Sequence, residues 1–103
     1  MTTIKSYTDI EQSKKLAEIN GHVIEEGWIP CWSLAALLEQ LPYELCDDDG
    51  NSAYLQINKE DDVYQLTYED LYGDFESIET DRYEHFVDAC MAMIEKLHEL
   101  NLL

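Results

Sequence analysis

Basic residues are scarce in this sequence. Of its 103 residues only six are lysine or arginine, against 23 aspartates and glutamates, and the formal net charge at pH 7 is -17. Nucleic-acid-binding proteins neutralise phosphates with lysine and arginine, so direct binding to DNA or RNA is not expected. The same charge disfavours anionic membrane surfaces. A basic protein is the kind of partner that this charge favours.

Long apolar runs are also missing. No stretch approaches the roughly 20 apolar residues that a membrane-spanning helix requires, and the first ten residues lack the basic and apolar regions of a secretion signal. The three cysteines, Cys31, Cys46 and Cys90, have neither disulfide-type nor zinc-type spacing. We therefore expect a soluble protein of the reducing cytoplasm without a membrane partner, and we expect its cysteines to be small buried side chains.

Recognisable catalytic and cofactor-binding patterns are lacking as well. The three histidines stand apart from one another and from the cysteines, and the sequence has no nucleophile elbow, zincin helix or glycine-rich phosphate loop. The acidic run at residues 47–51 does not fit an EF-hand, because Leu45 and Gln56 would then occupy ligand positions. The sequence therefore predicts no enzyme, no cofactor and no metal site.

The remaining composition is that of an ordinary globular protein. Hydrophobic residues make up 46% of the chain and aromatic residues 11%, so the acidity is not accompanied by the apolar depletion of disordered chains. A chain of this length can bury one hydrophobic core. We predict a single folded domain over residues 1–103.

Two helices are predicted in the first 42 residues. Thr8 and Glu11 have the spacing of a capping box, and the helix that they begin should end near Asn20. An ordered connection at residues 22–31 follows. The second helix begins at Ser33 or in the stretch just before it and ends before a proline. Its leucines have the spacing of one helix face: Leu34, Leu37, Leu38 and Leu41.

After residue 42 the pattern changes from helical to alternating. Strands are predicted at residues 43–46, 53–59 and 63–69, and a further strand at 75–80. The segments between them are short enough for tight turns, so the strands should form an antiparallel meander.

A long final helix completes the predicted fold. Asp81 and Glu84 have the spacing of a second capping box ahead of it. Its apolar face consists of Phe86, Val87, Cys90, Met93, Ile94 and Leu97. The predicted order is α-α-β-β-β-(β)-α, which indicates an α+β fold of two layers, with a small meander of three to four strands packed against helices.

The acidic residues are concentrated in the predicted meander. Residues 1–46 carry a net charge of -4, residues 47–84 of -11 and residues 85–103 of -2. The loops after the first and third strands emerge at the same end of a meander, and the acidic turn at residues 60–62 at the other. We predict that the first of these ends binds a partner through six carboxylates: Asp47, Asp48, Asp49, Glu69, Asp70 and Asp74.

The density of carboxylates decides whether this surface can imitate nucleic acid. Spread evenly over roughly 6,000 Å², the 23 carboxylates would each have about 260 Å², whereas a phosphate of B-DNA covers about 110 Å². Only a clustered surface could dock on the basic groove of a nucleic-acid-binding protein. The alternative interpretation is a structural or dimerisation module whose acidity is only solubilising. A metal-dependent enzyme built from carboxylates is the least favoured class.

Three stretches carry a resemblance to known proteins: IEQSKKLA at residues 10–17, WSLAALL at 32–38 and VDAC at 87–90. With them the chain resembles the short acidic proteins carried by phages and mobile elements of gut Bacteroidetes. The resemblance covers the first two helices and the last one, but not the acidic hairpins. No activity is established for that group, so no residue role is carried over. The resemblance implies a setting of host–phage conflict, in which small acidic inhibitors of nucleases recur, and hence an inhibitor of a host defence system.

Overall fold

A computed structural model describes residues 5–21, 31–70 and 73–103. These residues form three helices and one four-stranded antiparallel sheet in the order α-α-β-β-β-β-α, which confirms the predicted small α+β fold. Most of the predicted connection between the first two helices, residues 22–30, lies outside the described residues.

Helix α1 spans Ile10–Ile19 and begins one residue later than predicted. The N-cap is Asp9, whose carboxylate accepts a hydrogen bond from Gln12 N at 2.8 Å, while Asp9 N donates to Gln12 Oε1 at 3.1 Å. This reciprocal pair is a capping box. The prediction of a box at Thr8 and Glu11 is therefore wrong.

Thr8 is buried and has a different role. Its hydroxyl lies 2.7 Å from Ser13 Oγ and accepts a hydrogen bond from Trp32 N at 3.1 Å. Thr8 therefore joins α1 to the segment before the next helix, and Asp9 takes the cap position. These partners are far apart in sequence, so spacing alone does not indicate them.

Helix α2 spans Leu34–Gln40 and agrees with the prediction. Its N-cap is Ser33, whose hydroxyl accepts a hydrogen bond from Ala36 N at 3.2 Å. The helix ends ahead of Pro42, which disfavours helical geometry in the residue before it. Leu37 is fully buried.

The strands pair in sequence order. They are β1 at Glu44–Cys46, β2 at Ser52–Glu60, β3 at Val63–Glu69 and β4 at Ile78–Glu79. Every neighbouring pair is antiparallel, so the meander is confirmed, with a fourth strand shorter than the predicted 75–80.

Helix α3 spans Phe86–Glu99 and begins without a side-chain cap. The capping box predicted at Asp81 and Glu84 is therefore wrong. The backbone explains why: Tyr64 N donates to Tyr83 O at 2.7 Å, and Tyr83 N donates to Tyr64 O at 2.9 Å. The chain is still extended and paired with the sheet at Tyr83, so the helix cannot begin there.

The core lies between the sheet and the helices. From α3 it receives Val87, Ala89, Cys90, Met91, Met93, Ile94 and Leu97, and from the sheet Leu45, Ala53, Leu66, Tyr68 and Ile78. Phe86 extends this packing, since its ring stacks on Tyr64 with centroids 5.0 Å apart. Ile57 lies opposite Leu66 in the register but stays 47% exposed. The helices therefore cover β3 more fully than the outer half of β2.

Only one of the three cysteines has the predicted buried position. Cys90 is fully buried, and burial raises the pKa of its thiol to about 12. Cys31 and Cys46 are exposed, so the prediction is wrong for them. Cys46 alternates with the buried Leu45 on an edge strand, which places its side chain on the opposite face of the sheet.

Candidate functional site

Two acidic loops meet at one end of the sheet. One connects β1 to β2 at residues 47–51, and the other follows β3 and includes Asp70, Gly73 and Asp74. They touch through Asn51, whose side-chain oxygen accepts a hydrogen bond from Asp74 N at 3.4 Å. The turn between β2 and β3 lies at the opposite end of the sheet. The placement predicted from strand order is confirmed, and we name this region the acidic end.

Asp47 shapes the first loop from within. Its carboxylate accepts hydrogen bonds from Asn51 N at 2.8 Å, Asn51 Nδ2 at 3.0 Å and Asp49 N at 3.0 Å. These bonds, those from Asn51 foremost, lower the pKa of Asp47. Gly50 has φ +83°, a left-handed conformation that glycine adopts without steric cost. Asp47 is therefore an organising residue of the turn.

Asp70 has the same role in the second loop. Its carboxylate accepts hydrogen bonds from Gly73 N at 2.8 Å and from Phe75 N at 3.4 Å. Gly73 is packed so closely that an added Cβ would overlap Asp70 Oδ2 and lie 2.8 Å from Asn51 Oδ1. The absence of a side chain at Gly73 is what allows the two loops to approach each other.

Three of the six predicted site residues present exposed carboxylates at the acidic end: Asp48, Asp49 and Asp74. Among the described residues, these three carboxylates make no hydrogen bond or ion pair. The ion pairs in the described part of the chain lie elsewhere, joining Lys5 to Asp9 and Asp88, and Lys15 to Glu95. The negative charge of the three aspartates is therefore not neutralised within the described structure.

Glu69 is the last of the six predicted site residues. It lies in a row of cross-strand neighbours that the sequence pattern did not indicate: Glu44, Tyr54 and Glu69. The strand register places Tyr54 directly between Glu44 and Glu69, and paired residues of antiparallel strands point to the same face. Glu69 is half-buried, whereas Tyr54 is 42% exposed. Tyr43, 73% exposed, packs its ring edge-on against Tyr54 with centroids 5.6 Å apart.

Glu44 is held ionised by its neighbours on the same face. Its carboxylate accepts hydrogen bonds from Cys46 Sγ at 3.1 Å and from Ser52 Oγ at 2.9 Å, and both lower the pKa of Glu44. The signal that could have found Glu44 is the short turn after β1, since its length sets the register between Glu44 and Tyr54.

Comparisons of this chain with models of protein families, with curated proteins and with solved structures find no match. The resemblance to acidic phage proteins therefore stays a prediction. Within the described ranges, no helix has the length and apolar character needed to cross a membrane. The same ranges hold no group of three or more histidine, cysteine, aspartate or glutamate side chains placed to bind a metal ion.

Proposed function

We propose that this protein is a small interaction module of the cytoplasm, and not an enzyme, whose acidic end occupies a basic groove on a nucleic-acid-binding protein. The observation that carries the proposal is the meeting of two acidic loops through Asn51 and Asp74, which groups Asp48, Asp49 and Asp74. In the phage setting that the resemblance implies, the partner is a nuclease of host defence, and occupation of its groove inhibits it.

The average charge density of the surface explains why recognition by a basic groove would need a cluster of carboxylates. The accessible surface of the chain is 7096 Å², which leaves about 310 Å² for each of its 23 carboxylates if they were evenly spread. A phosphate of B-DNA covers about 110 Å². The average surface is therefore too dilute to compete with nucleic acid, and a basic groove would recognise a local cluster.

A pair of matched variants tests the proposal. Asp48→Asn, Asp49→Asn and Asp74→Asn together remove three exposed charges from the acidic end and leave the organising Asp47 and Asp70 in place. The control changes three exposed glutamates of α1 and α2 to glutamine: Glu11, Glu18 and Glu39. Both triple variants alter the net charge equally.

The measurement is affinity capture of partners from a bacterial lysate, followed by titration of the captured protein. The acidic-end variant should bind about tenfold more weakly, because each lost charge contact contributes up to about 1 kcal/mol, and the control should bind nearly as well as the original. Binding should also weaken between 0.01 M and 0.15 M salt, as the Debye length falls from about 30 to about 8 Å.

Competition with nucleic acid distinguishes groove occupation from other contacts. Added DNA or RNA should displace this protein from its partner, because both require the same basic residues. Simultaneous binding without mutual loss of affinity would contradict the proposal, as would equal weakening by the two triple variants.

The alternative is a structural or dimerisation module whose acidity is only solubilising. The observation that favours it is the exposed pair Tyr43 and Tyr54, since tyrosines are enriched at protein interfaces. That alternative predicts a dimer that Tyr54→Ser dissociates, with no effect of the Asp48, Asp49 and Asp74 variant on any captured partner. Sedimentation equilibrium measures whether Tyr54→Ser and the Asp48, Asp49 and Asp74 variant are dimers, and the capture experiment measures partner binding.

A further inference from the structure

A groove of about 500 Å³ borders the acidic end. One wall is the segment that leads into and includes β4, and the other is the C-terminal end of α3. Its apolar surface comes from Phe75, Ile78, Leu100 and Leu102. This volume falls within the range of about 300–1,000 Å³ typical of ligand sites in proteins.

Hydrogen bonds to backbone groups hold both walls in place. Lys96 Nζ donates to Glu79 O at 2.7 Å, which ties α3 to β4. Leu102 N donates to Leu97 O at 2.8 Å and folds the tail of the chain back along the helix. Phe75 N donates to Asp70, the organising residue of the second acidic loop. The groove is therefore part of the same folded unit as the acidic end.

The rim of the groove is mostly acidic. Asp47, Glu76 and Glu79 contribute three carboxylates, and Lys96 contributes one ammonium group. The C-terminal end of α3 adds the partial negative charge of its last carbonyl groups. Leu100 remains 51% exposed at this rim, so apolar surface is accessible beside the carboxylates.

The combination of an apolar groove and an acidic rim selects one kind of occupant. A second copy of a chain with a net charge of -17 would bring further carboxylates to an acidic rim, which disfavours self-association there. A purely basic segment would satisfy the rim but leave the apolar floor in contact with water. A basic segment that also carries an apolar side chain satisfies both.

We infer that the groove receives an apolar side chain from an extended basic segment of the partner, with its flanking lysine or arginine residues facing Asp47, Glu76 and Glu79. This inference rests on the proposed function and specifies the chemistry of the partner. Carboxylates attract the segment at long range, and the groove selects segments that carry the apolar residue. Burial of that residue also retains affinity in salt, because the hydrophobic contribution is not screened.

Two labelled peptides test this inference on the full chain. The first is KRLFRK and the second KRSSRK, which has the same charge without the apolar side chains. We expect KRLFRK to bind at least about tenfold more tightly, since burial of even one large apolar side chain contributes a factor of this size. Fluorescence anisotropy at 0.01 M and 0.15 M salt measures the ratio, which should stay about constant while both affinities fall, because salt screens the equal charges of the two peptides and not the apolar contact.

A substitution that fills the groove can be compared with the same substitution elsewhere on the surface. Ser77 is exposed and lines the groove, so Ser77→Tyr places a ring in the binding space. Ser6→Tyr makes the same substitution at an exposed serine that does not line the groove. Ser77→Tyr should abolish the preference for KRLFRK and leave KRSSRK binding unchanged, and Ser6→Tyr should alter neither. Amide chemical shifts of the peptide-free variants verify that both are folded.

The outcomes separate this inference from the proposed function. Equal affinity of the two peptides, or a preference that survives Ser77→Tyr, overturns the groove inference and leaves binding by the acidic end intact. Failure of both peptides to bind at 0.01 M salt contradicts both, because an acidic end that does not attract these cations has no electrostatic basis for docking on a basic surface. Shifts at Phe75 and Leu100 on addition of KRLFRK support the groove directly.

Discussion

Aspartates have two different roles in this protein. Asp9, Asp47 and Asp70 accept hydrogen bonds from backbone N–H groups and so determine the path of the chain. Asp48 and Asp49 extend into solvent one and two residues after Asp47. Neutralising every aspartate of the acidic end would therefore combine a structural change with a change of charge. A test of recognition has to spare the aspartates that organise the loops.

The N-cap of α1, Asp9, gives a prediction about stability. Asp9→Ala should lower the free energy of unfolding by about 1 kcal/mol, because it removes the acceptor for Gln12 N. Glu11→Ala, one residue into α1, should cost less, since Glu11 is exposed and is not the cap. Urea denaturation measures both. A larger loss for Glu11→Ala would contradict the assignment of Asp9 as the cap.

The hydrogen bonds of Asp47 give a prediction about its titration. Asn51→Ala removes the Nδ2 donor, so the pKa of Asp47 should rise towards the ordinary value of 3.8. Carboxyl-carbon NMR follows this titration, with Asp9, whose pKa is lowered chiefly by Gln12, as an internal control. An unchanged Asp47 pKa in the variant would show that the side-chain amide of Asn51 is not its main donor, since the backbone N–H of residue 51 is retained.

The lowered pKa of Asp47 also determines how the stability of the folded protein depends on pH. Because its folded pKa lies below the unfolded value, the carboxylate contributes its stabilisation above about pH 3.8. That contribution is lost as the pH falls from there through the lower folded pKa. In Asn51→Ala the loss should be smaller, which acid unfolding monitored by circular dichroism would measure.

At the level of the elements, the contact between the two loops depends on Gly73. Gly73→Ala should destabilise the protein by about 1–3 kcal/mol, because its Cβ would overlap the Asp70 carboxylate and crowd Asn51. Gly50→Asn is the comparison, since no atom lies within 4 Å of a Cβ there and asparagine tolerates positive φ. Urea unfolding compares them. A Gly73→Ala variant as stable as Gly50→Asn would mean that the loops do not pack as described.

Elements with long, regular patterns were predictable from the sequence. The apolar face of α3 reflects burial on one side, which periodicity reports directly. In β2 and β3 the alternation predicts the strands but not which side chains are buried, because Thr67 is buried and Ile57 is 47% exposed. Helix starts were less predictable because they depend on distant partners. Thr8 is engaged by Ser13 and Trp32, and Tyr83 pairs with the sheet, so neither predicted capping box forms.

At the scale of the whole molecule, excess charge predicts an unusual response to salt. With a net charge of -17, repulsion among carboxylates opposes folding, and screening should relieve it. Raising sodium chloride from 0.01 M to 0.15 M should therefore increase the melting temperature by roughly 5 °C. The Asp48, Asp49 and Asp74 triple variant should respond less. A melting temperature that falls with salt would contradict this view.

The candidate site was predictable only in part. Strand order alone places the two acidic loops at one end of the sheet, because each strand of a meander reverses direction. Asp47 organises the turn while its neighbours Asp48 and Asp49 are exposed, and this difference depends on side-chain geometry that the sequence does not report. The groove was unpredictable, since Phe75 and Leu100 come from segments that only the packing of α3 on β4 brings together.

The sheet is bounded by its two shortest strands, β1 with three residues and β4 with two. Exposed strand edges are where proteins add foreign strands, either to recognise a peptide backbone or to aggregate. These two strands offer few unpaired backbone groups, but β1 pairs only with residues 52–54 of β2, so residues 56–60 have no strand beside them on that edge within the described structure. This uncovered stretch is where an incoming strand would add, and it lies towards the turn between β2 and β3, away from the acidic end. The proposed partner, which docks on the acidic end, would therefore be recognised through side chains and not by strand addition.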